Sequence, residues 1–268
     1  MSSSTSSGAR STAAKPVAPP GSQPVLRAQH LSKSYHSPVL RDLDMGIEPG
    51  QFVAIMGPSG SGKSTLLHCL SGMDRPSAGS VLLGDTEITT MSEKELAALR
   101  LTRFGFVFQQ VHLMTTLCLL DNIVLPGFLA GLRPRPEITA RGEELMESMG
   151  IADLAASGVT EVSGGQLQRA GICRALINDP GIVFADEPTG ALNSTTALQI
   201  LDLLGQVHAS GTTLVMVTHD AQVAARADRV LVLVDGRIEE DLALGRYREA
   251  EAPSRLTTVT EALQRRSV

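Results

Sequence analysis

A glycine-rich segment at residues 57–65, GPSGSGKST, carries the residue types that bind a chain of phosphates. Its glycines allow backbone N–H groups to turn inward, and the helix that follows directs its positive end to the same point. Lys63 supplies a mobile positive charge for the terminal phosphates, and the Ser64 hydroxyl is a ligand for Mg²⁺. An apolar run, FVAIM, precedes the segment, so strand, loop and helix follow in the required order. We therefore predict a nucleotide-phosphate site rather than a Gly/Ser-rich turn.

Two adjacent carboxylates end the apolar run GIVFADEP at residues 181–188. Asp186 is predicted to hold Mg²⁺, directly or through water, and Glu187 to polarise an attacking water molecule. Two acids at the end of a buried strand are unfavourable unless a cation or hydrogen bonds offset their charge. An exposed acidic turn is the alternative for this segment by itself, and the phosphate loop elsewhere in the chain favours the catalytic interpretation.

Short apolar runs separated by helix-length segments must position these residues. They lie at 51–56, 105–108, 181–185, 212–217 and 229–234. Because they are apolar on both faces, they are typical of a parallel sheet covered by helices. The segment before Gln51 alternates instead, as in an antiparallel sheet with one solvated face. Between Leu117 and Val162 the strand signal vanishes, and residues 137–149 have helical spacing, which predicts a helical insertion. The last segment, 247–268, is charged and weakly patterned.

Composition limits the classes of function. The 268 residues are 43% hydrophobic, enough for a sizeable core, and the net charge of −5 argues against DNA or RNA as the main ligand. Three cysteines are too few for a disulfide framework or a structural zinc site. No run reaches the ~18 apolar residues that span a bilayer, so the sequence predicts a soluble chain. Residues 1–23 lack the apolar run of a secretory signal and are predicted to be a disordered Ser/Pro-rich tail.

A Ser-Gly-Gly cluster begins a second helical run at residues 162–176, VSGGQLQRAGICRAL. The free N–H groups of the helix start and the serine hydroxyl are suited to an anion. By itself such a cluster is more commonly a capping serine with loop glycines.

Together these pieces closely resemble the nucleotide-binding subunit of ATP-binding-cassette (ABC) transporters. They occur in that family's order: the loop GPSGSGKST, Gln109 after FVF, the signature VSGGQ, the acidic end FADEP and His219 closing VMVTH. The resemblance covers about residues 24–240 and implies an α/β fold. That fold is a P-loop NTPase, with a RecA-like core, an antiparallel β subdomain and an inserted helical subdomain at about 110–178. A C-terminal extension would follow at 241–268.

The resemblance also implies a role for each matching residue. His219 is expected to contact the γ-phosphate, Gln109 to link Mg²⁺ and the attacking water to the helical subdomain, and Tyr35 to stack on adenine. The expected catalytic residues are Glu187, His219 and Gln109. The expected metal ligands are Ser64, Gln109 and Asp186. The expected ATP-binding residues are Tyr35, Gly57, Pro58, Ser59, Gly60, Ser61, Gly62, Lys63, Ser64, Thr65, Ser163, Gly164, Gly165 and Gln166.

In this family two domains stack head to tail, so the signature of one closes over ATP held by the other. The resemblance therefore implies a second ABC ATPase subunit, in a homodimer or a heterodimer, and a transmembrane permease as partners, with ATP and Mg²⁺ bound. It places the chain peripherally on the cytoplasmic face of the cell membrane. The segments around FVFQQ and ADEPTGAL most resemble the lipoprotein-release, macrolide-export and cell-division branch, which implies export or extrusion of a peptide, drug or lipoprotein-like cargo.

Two residues depart from the family pattern. Val162 replaces the usual leucine at the start of the signature, a change of apolar packing that should be tolerated. Asn193 replaces the usual aspartate in the loop after the acidic strand end, which keeps one acceptor oxygen and removes a charge. Slower hydrolysis, altered coupling between sites and pairing with a non-identical subunit all remain open.

Two other classes of function compete with a transporter subunit. A soluble ABC-type ATPase that acts on nucleic acid or ribosomes usually has paired cassettes, long coiled coils or zinc insertions. This sequence shows one cassette, no heptad arm and no zinc spacing. A small-molecule kinase or GTPase would share the phosphate loop, but the signature and His219 argue against it.

Overall fold

The computed structural model describes residues 24–266, so the predicted tail at residues 1–23 lies outside the described residues. The strands are β1 (Leu26–Ser34), β2 (Pro38–Ile47), β3 (Phe52–Met56), β4 (Ala78–Leu83), β5 (Thr86–Glu87), β6 (Phe104–Phe108), β7 (Ile182–Asp186), β8 (Thr213–Val217), β9 (Arg229–Val234) and β10 (Arg237–Ala243). The helices are α1 (Lys63–Leu70), α2 (Glu93–Arg103), α3 (Leu119–Ala130), α4 (Arg135–Ser148), α5 (Gly164–Leu176), α6 (Ser194–Ala209), α7 (Ala221–Ala224) and α8 (Ala252–Arg266). The chain therefore has the mixed α/β architecture that the sequence predicts.

A six-stranded sheet in the order β10-β9-β3-β8-β7-β6 forms the centre of the fold. Its strands are parallel except for β10, which pairs antiparallel with β9. Strands β3 and β8 are buried along their whole length, which explains why their sequences are apolar on both faces. In the sheet register Val217 lies opposite both Ile55 and Asp186, and Asp186 lies opposite Phe108. The residues that follow these four strands therefore emerge side by side at one edge.

The second sheet is antiparallel, in the order β2-β1-β4-β5. Buried and exposed residues interchange along β1 and β2, as expected for a sheet with one solvated face. Helix α1 contacts strands of both sheets, and one hydrophobic cluster joins its Leu66 and Leu70 to residues of both. The phosphate loop thus leads into a helix that is clamped between the two sheets.

Helices α3, α4 and α5 pack against one another beside the larger sheet. Their apolar faces meet in a second hydrophobic cluster that includes Ile123, Met146 and Ile172, each at most 1% exposed. Helix α4 is the helix that the spacing of residues 137–149 predicts. Among the described residues, no helix combines the length and apolarity needed to cross a bilayer.

Helix α8 forms where the sequence pattern indicates little regular structure. It packs against α7, β9 and β10, and its Val259 and Ala262 are fully buried. The end of the described chain is therefore part of the folded body.

Candidate active site

The loop at residues 57–65 leaves β3 with a backbone that glycine alone accommodates. Gly57 has φ of +146°, and a Cβ atom on it would lie 1.9 Å from the carbonyl oxygen of Leu233. The loop then turns into α1, and Lys63 is the first residue of that helix. The ammonium of Lys63 donates to the carbonyl oxygens of Gly57 at 2.9 Å and Pro58 at 2.7 Å. These bonds hold the positive charge at the mouth of the loop.

Burial and the neighbouring charges have opposite effects on the proton affinity of Lys63. Burial lowers the pKa of the Lys63 ammonium, and the carboxylates of Glu187 and Asp186 offset part of that effect. Both acids thus lie within electrostatic range of the loop although they are distant in sequence. This places one cation and two anions at the edge where β3 and β7 end.

Ser64 and Asp186 meet directly. The Ser64 hydroxyl donates to Oδ1 of Asp186 across 3.1 Å. A hydroxyl and a carboxylate are hard oxygen ligands of the kind that Mg²⁺ prefers. The donor set at this point therefore fits Mg²⁺.

Glu187 and His219 form a second pair. Nδ1 of His219 lies 2.8 Å from Oε1 of Glu187. The Glu187 side chain is 19% exposed, whereas that of His219 is 73% exposed. Glu187 has φ of +46°, in the left-handed region, and its N–H donates to the Val217 carbonyl. The backbone thus turns sharply after Asp186 and holds the glutamate beside the end of β8.

Gln109 lies on the same edge, next to the loop that follows Glu187. A Cβ atom on Gly190 would lie 2.9 Å from the Gln109 side-chain nitrogen, so the two residues pack closely. The N–H of Gly190 in turn donates to the Glu187 carbonyl at 3.0 Å. Gln109 therefore contacts the loop that carries Glu187.

Residues outside the predicted site hold the segment at 109–118. Gln168 of α5 is 2% exposed and donates to the Phe108 carbonyl over 3.1 Å. Arg174 donates to the carbonyls of Val111 and His112. Asn122 of α3, 3% exposed, donates to the carbonyls at the other end of the segment, at Met114, Leu117 and Cys118. The segment is thus fixed to the helices by buried polar side chains.

The Ser-Gly-Gly cluster caps α5. Ser163 accepts from the N–H of Gln166, and the Gln166 side chain accepts from the N–H of Ser163 at 2.8 Å. This reciprocal pair is a capping box. Gly164 and Gly165 follow, and a Cβ atom on Gly165 would lie 2.5 Å from a methyl carbon of Thr196. The signature therefore packs against the start of α6.

Asn193 is the capping residue of α6. Its side-chain oxygen accepts from the N–H of Thr196 at 2.9 Å. Asparagine and aspartate are about equally good in this position. The departure from the family pattern thus preserves the helix start.

Tyr35 lies beside the loop and is 59% exposed. Its hydroxyl donates to Asp74, and the ammonium of Lys33 lies 4.6 Å from the centre of its ring. The Asp74 contact is the main reason that the pKa of Tyr35 is raised, and the Thr65 hydroxyl works in the opposite direction. Tyr35 is therefore next to the first turn of α1, where its ring is available for contact.

The remaining loop residues differ in exposure. Pro58, Ser59 and Gly60 are exposed, Ser61 is buried, and Gly62 is the capping residue of α1. Hydrogen bonds or close packing connect the loop, both acids, His219 and Gln109. The signature is connected to this group through α6.

This fold and this site define a P-loop nucleotide-binding protein, and comparisons identify its family. Residues 40–190 match the family model for ABC transporters. The chain is 46% identical over 218 residues to the macrolide export ATP-binding/permease protein MacB of Rhodopseudomonas palustris (strain BisB18), an alignment that covers 81% of this chain and 33% of that protein. The chain spans about a third of the length of the curated relatives it matches.

Solved structures indicate the same family. The dimeric post-hydrolysis structure of the ATP-binding cassette MJ0796, bound to ADP and Pi, is 35% identical and superposes with a TM-score of 0.76, covering 83% of this chain and 100% of that one. For cbiO1 from Clostridium perfringens, part of the ABC transporter complex cbiONQ, the identity is 27% and the TM-score is 0.77, over 91% of this chain and 97% of that one. The chain belongs to the ABC transporter family and carries its ATPase cassette.

Proposed function

We propose that the chain is the ATP-hydrolysing subunit of an exporter, which pairs with a second cassette and drives a membrane permease. The observation that supports this most directly is the arrangement of two hydrogen-bonded pairs, Ser64–Asp186 and Glu187–His219, at the mouth of one phosphate loop. The first pair has the chemistry of a metal site, and the second has the chemistry of a general base with its partner.

Different residues of this chain bind ATP, hold the metal ion and act on the attacking water. The inward-facing backbone of the loop and Lys63 bind the phosphates, and Ser64 and Asp186 would hold Mg²⁺ with Gln109. The metal ion, when bound, neutralises charge on the leaving phosphates. Glu187 accepts the proton of the attacking water. Tyr35 supplies a ring for the adenine.

The position of the proton on the His219 ring follows from its hydrogen bond to Glu187. An ionised carboxylate only accepts hydrogen bonds, so the bond to Glu187 places a proton on Nδ1 of His219. Nε2 of His219 is then the ring nitrogen left to face the γ-phosphate, while Nδ1 orients Glu187.

A second cassette completes the site. The signature residues lie at the N-terminus of a helix of 13 residues, whose dipole favours an anion. In one chain they pack against the start of α6, and we propose that they close over ATP held by the other cassette. The dimeric structure of MJ0796 supports this arrangement.

An apolar cleft of about 460 Å³ supports a permease contact. It lies between α2, β6 and the end of α5, and its lining includes Met73, Leu101, Phe106, Phe108 and Ile177. Its apolar lining fits a short amphipathic helix of a permease. His112 also lines the cleft, so its occupant touches the segment that begins with Gln109. We therefore propose that the protein lies peripherally on the cytoplasmic face of the membrane and serves the export of drug, peptide or lipoprotein-like cargo. The name of the macrolide-export relative supports the first of these three cargoes.

The solution mass of a Glu187→Gln variant tests this proposal. The variant should lose hydrolysis by about 10²- to 10⁴-fold, because the general base is gone, while ATP still binds. Light scattering should then show a monomer without nucleotide and a dimer with Mg·ATP. Glu143→Gln, an exposed change on α4, is the control and should hydrolyse ATP as the wild type does.

One result would contradict the proposal, and another would restrict it to a heterodimer. Wild-type protein that binds ATP without hydrolysing it, with or without its permease, would exclude an ATPase subunit. A Glu187→Gln protein that binds Mg·ATP and stays monomeric would exclude pairing with a second copy, and a different partner cassette would then be required.

A further inference from the structure

A buried arginine anchors the segment that follows β10. Arg255 of α8 is 5% exposed. Its Nε donates to the carbonyl of Ala225 at 2.7 Å, and Nη2 donates to the carbonyl of Ala227. The guanidinium also donates to the carbonyls of Leu244, Gly245 and Arg246. One side chain thus joins α8 to the end of α7, in a region beyond the residues 40–190 that match the family model.

The carbonyls of Ala225 and Ala227 that Arg255 holds lie just after the end of α7, the helix that follows His219 in the chain. Helix α7 begins directly after Asp220, whose side chain caps it. On the other side of His219, the N–H of Thr218 donates to the carbonyl of Ile55 at 3.1 Å. His219 therefore lies between two anchors, one on β3 and the other at α8.

The same extension also reaches α6. The ring of Tyr247 lies between two guanidinium groups, 5.6 Å from that of Arg226 and 5.5 Å from that of Arg255. Arg226, just after α7, donates to Asp202 of α6 at 2.5 Å. These contacts connect the C-terminal end of α7 to α6, the helix that Asn193 caps.

The extension and the catalytic pair line one cavity. It has a volume of about 620 Å³, and its lining includes Glu187 and His219 as well as Tyr247, Pro253 and Leu256. Helix α7, which follows His219 in the chain and packs against α8, joins the two.

We propose that Arg255 is a positioning residue for His219, and that helix α8 thereby sets the turnover rate of this cassette. Loss of the guanidinium leaves the buried carbonyls of Ala225 and Ala227 without their donor. The end of α7 then loosens, and His219 is no longer held beside Glu187. Nucleotide binding is unaffected, because the loop at 57–65 is anchored on β3 and α1.

The test compares Arg255→Met, Arg255→Lys and Arg248→Met in the full chain. Arg248 has a side chain that is 77% exposed and pairs with Glu251, so its variant is the matched control. In Arg255→Met, kcat should fall by about 10- to 100-fold, since small misplacements of catalytic groups have effects of that size, while KM for ATP stays within about twofold. Arg255→Lys retains some donors and should recover part of kcat, and Arg248→Met should match the wild type.

A second readout does not depend on turnover. The imidazole proton resonance of His219, assigned by its loss in His219→Gln, should move in nucleotide-free Arg255→Met and stay in place in Arg248→Met. If Arg255→Met does not fold, Arg255→Lys carries both measurements. An unmoved His219 resonance, or kcat and KM that change together, would overturn the inference.

This inference rests on the proposed ATP hydrolysis, and the two fail differently. A wild type that does not hydrolyse ATP refutes the proposed function. A wild type that hydrolyses ATP as fast as Arg255→Met refutes the role of Arg255.

Discussion

The hydroxyl of Ser64, in the first turn of α1, donates to the carboxylate of Asp186, the last residue of β7, across 3.1 Å. This bond connects the phosphate loop to the acidic strand end. If both oxygens bind Mg²⁺, Asp186→Asn and Ser64→Ala should weaken ATP binding measured with Mg²⁺ and leave ATP binding measured in EDTA unchanged. The aspartate should matter more, because it contributes a full negative charge. Titration with a fluorescent ATP analogue measures both; equal losses with and without Mg²⁺ would exclude the metal role.

Asn193 caps α6 through the N–H of Thr196. Asn193→Ala should lower the free energy of unfolding by about 1 kcal/mol, because that N–H loses its acceptor. In Asn193→Asp the free energy of unfolding should equal or slightly exceed that of the wild type. The two residues cap a helix equally well, and a helix N-terminus favours negative charge. Urea denaturation measures both. An Asn193→Ala protein as stable as the wild type would show that the cap contributes nothing.

Gly165 leaves no room for a side chain against Thr196, since a Cβ atom would lie 2.5 Å from its methyl carbon. Gly165→Ala should therefore destabilise the protein by about 1–3 kcal/mol through overpacking. Thr196→Ser removes that methyl group, so the double variant should regain most of the loss. Thermal unfolding of both single variants and the double variant gives the interaction free energy between positions 165 and 196. Additive effects would mean that the clash is not with Thr196.

Asp74 predicts a pH dependence of stability. Burial raises its pKa, but hydrogen bonds from Lys33 and Tyr35 outweigh burial and hold the pKa below its ordinary value. A carboxyl whose folded pKa is depressed stabilises the fold above its unfolded pKa, and that contribution is lost as pH falls through the folded pKa. At pH 7 the Tm of Asp74→Asn should thus be lower than that of the wild type. The difference between the two Tm values should narrow as the pH falls from about 5 to 3. A difference in Tm that is constant over this range would contradict the prediction.

The parallel strands were predictable because they are buried on both faces. The run LVMV of β8 has no polar residue, which favours burial on both faces between helices. The motifs add that the ends of three strands lie close together, because the loop at 57–65 follows β3, Asp186 ends β7 and His219 comes two residues after β8. The order of all six strands was not predicted from the sequence.

The positioning residues were not predictable from the same pattern. Gln168 and Arg255 are polar residues in amphipathic helices, where hydropathy places them on the solvated face, yet each is at most 5% exposed. Their partners are backbone carbonyls, which any sequence supplies, so no second residue type marks the contact. For α8 a signal existed in the spacing of Leu256, Val259 and Leu263, and the charged residues between them obscured it.

The roles assigned to the site residues, and the division of the chain into subdomains, stay predictions. Contacts bring Lys63, Ser64, Asp186, Glu187 and His219 to one edge of the sheet, and the variants of Ser64, Asp186 and Glu187 above test the roles proposed for those three residues.

The segment at 109–118 is bonded to α5 through Arg174 and to α3 through Asn122, whereas Gln109 meets the catalytic loop by packing against Gly190. Closely packed contacts of this kind have discrete arrangements rather than a continuous range. In the proposed complex, a permease segment that occupies the cleft and displaces residues 109–118 would also displace Gln109 relative to Gly190. Occupancy of the cleft would thereby reach the loop that carries Glu187.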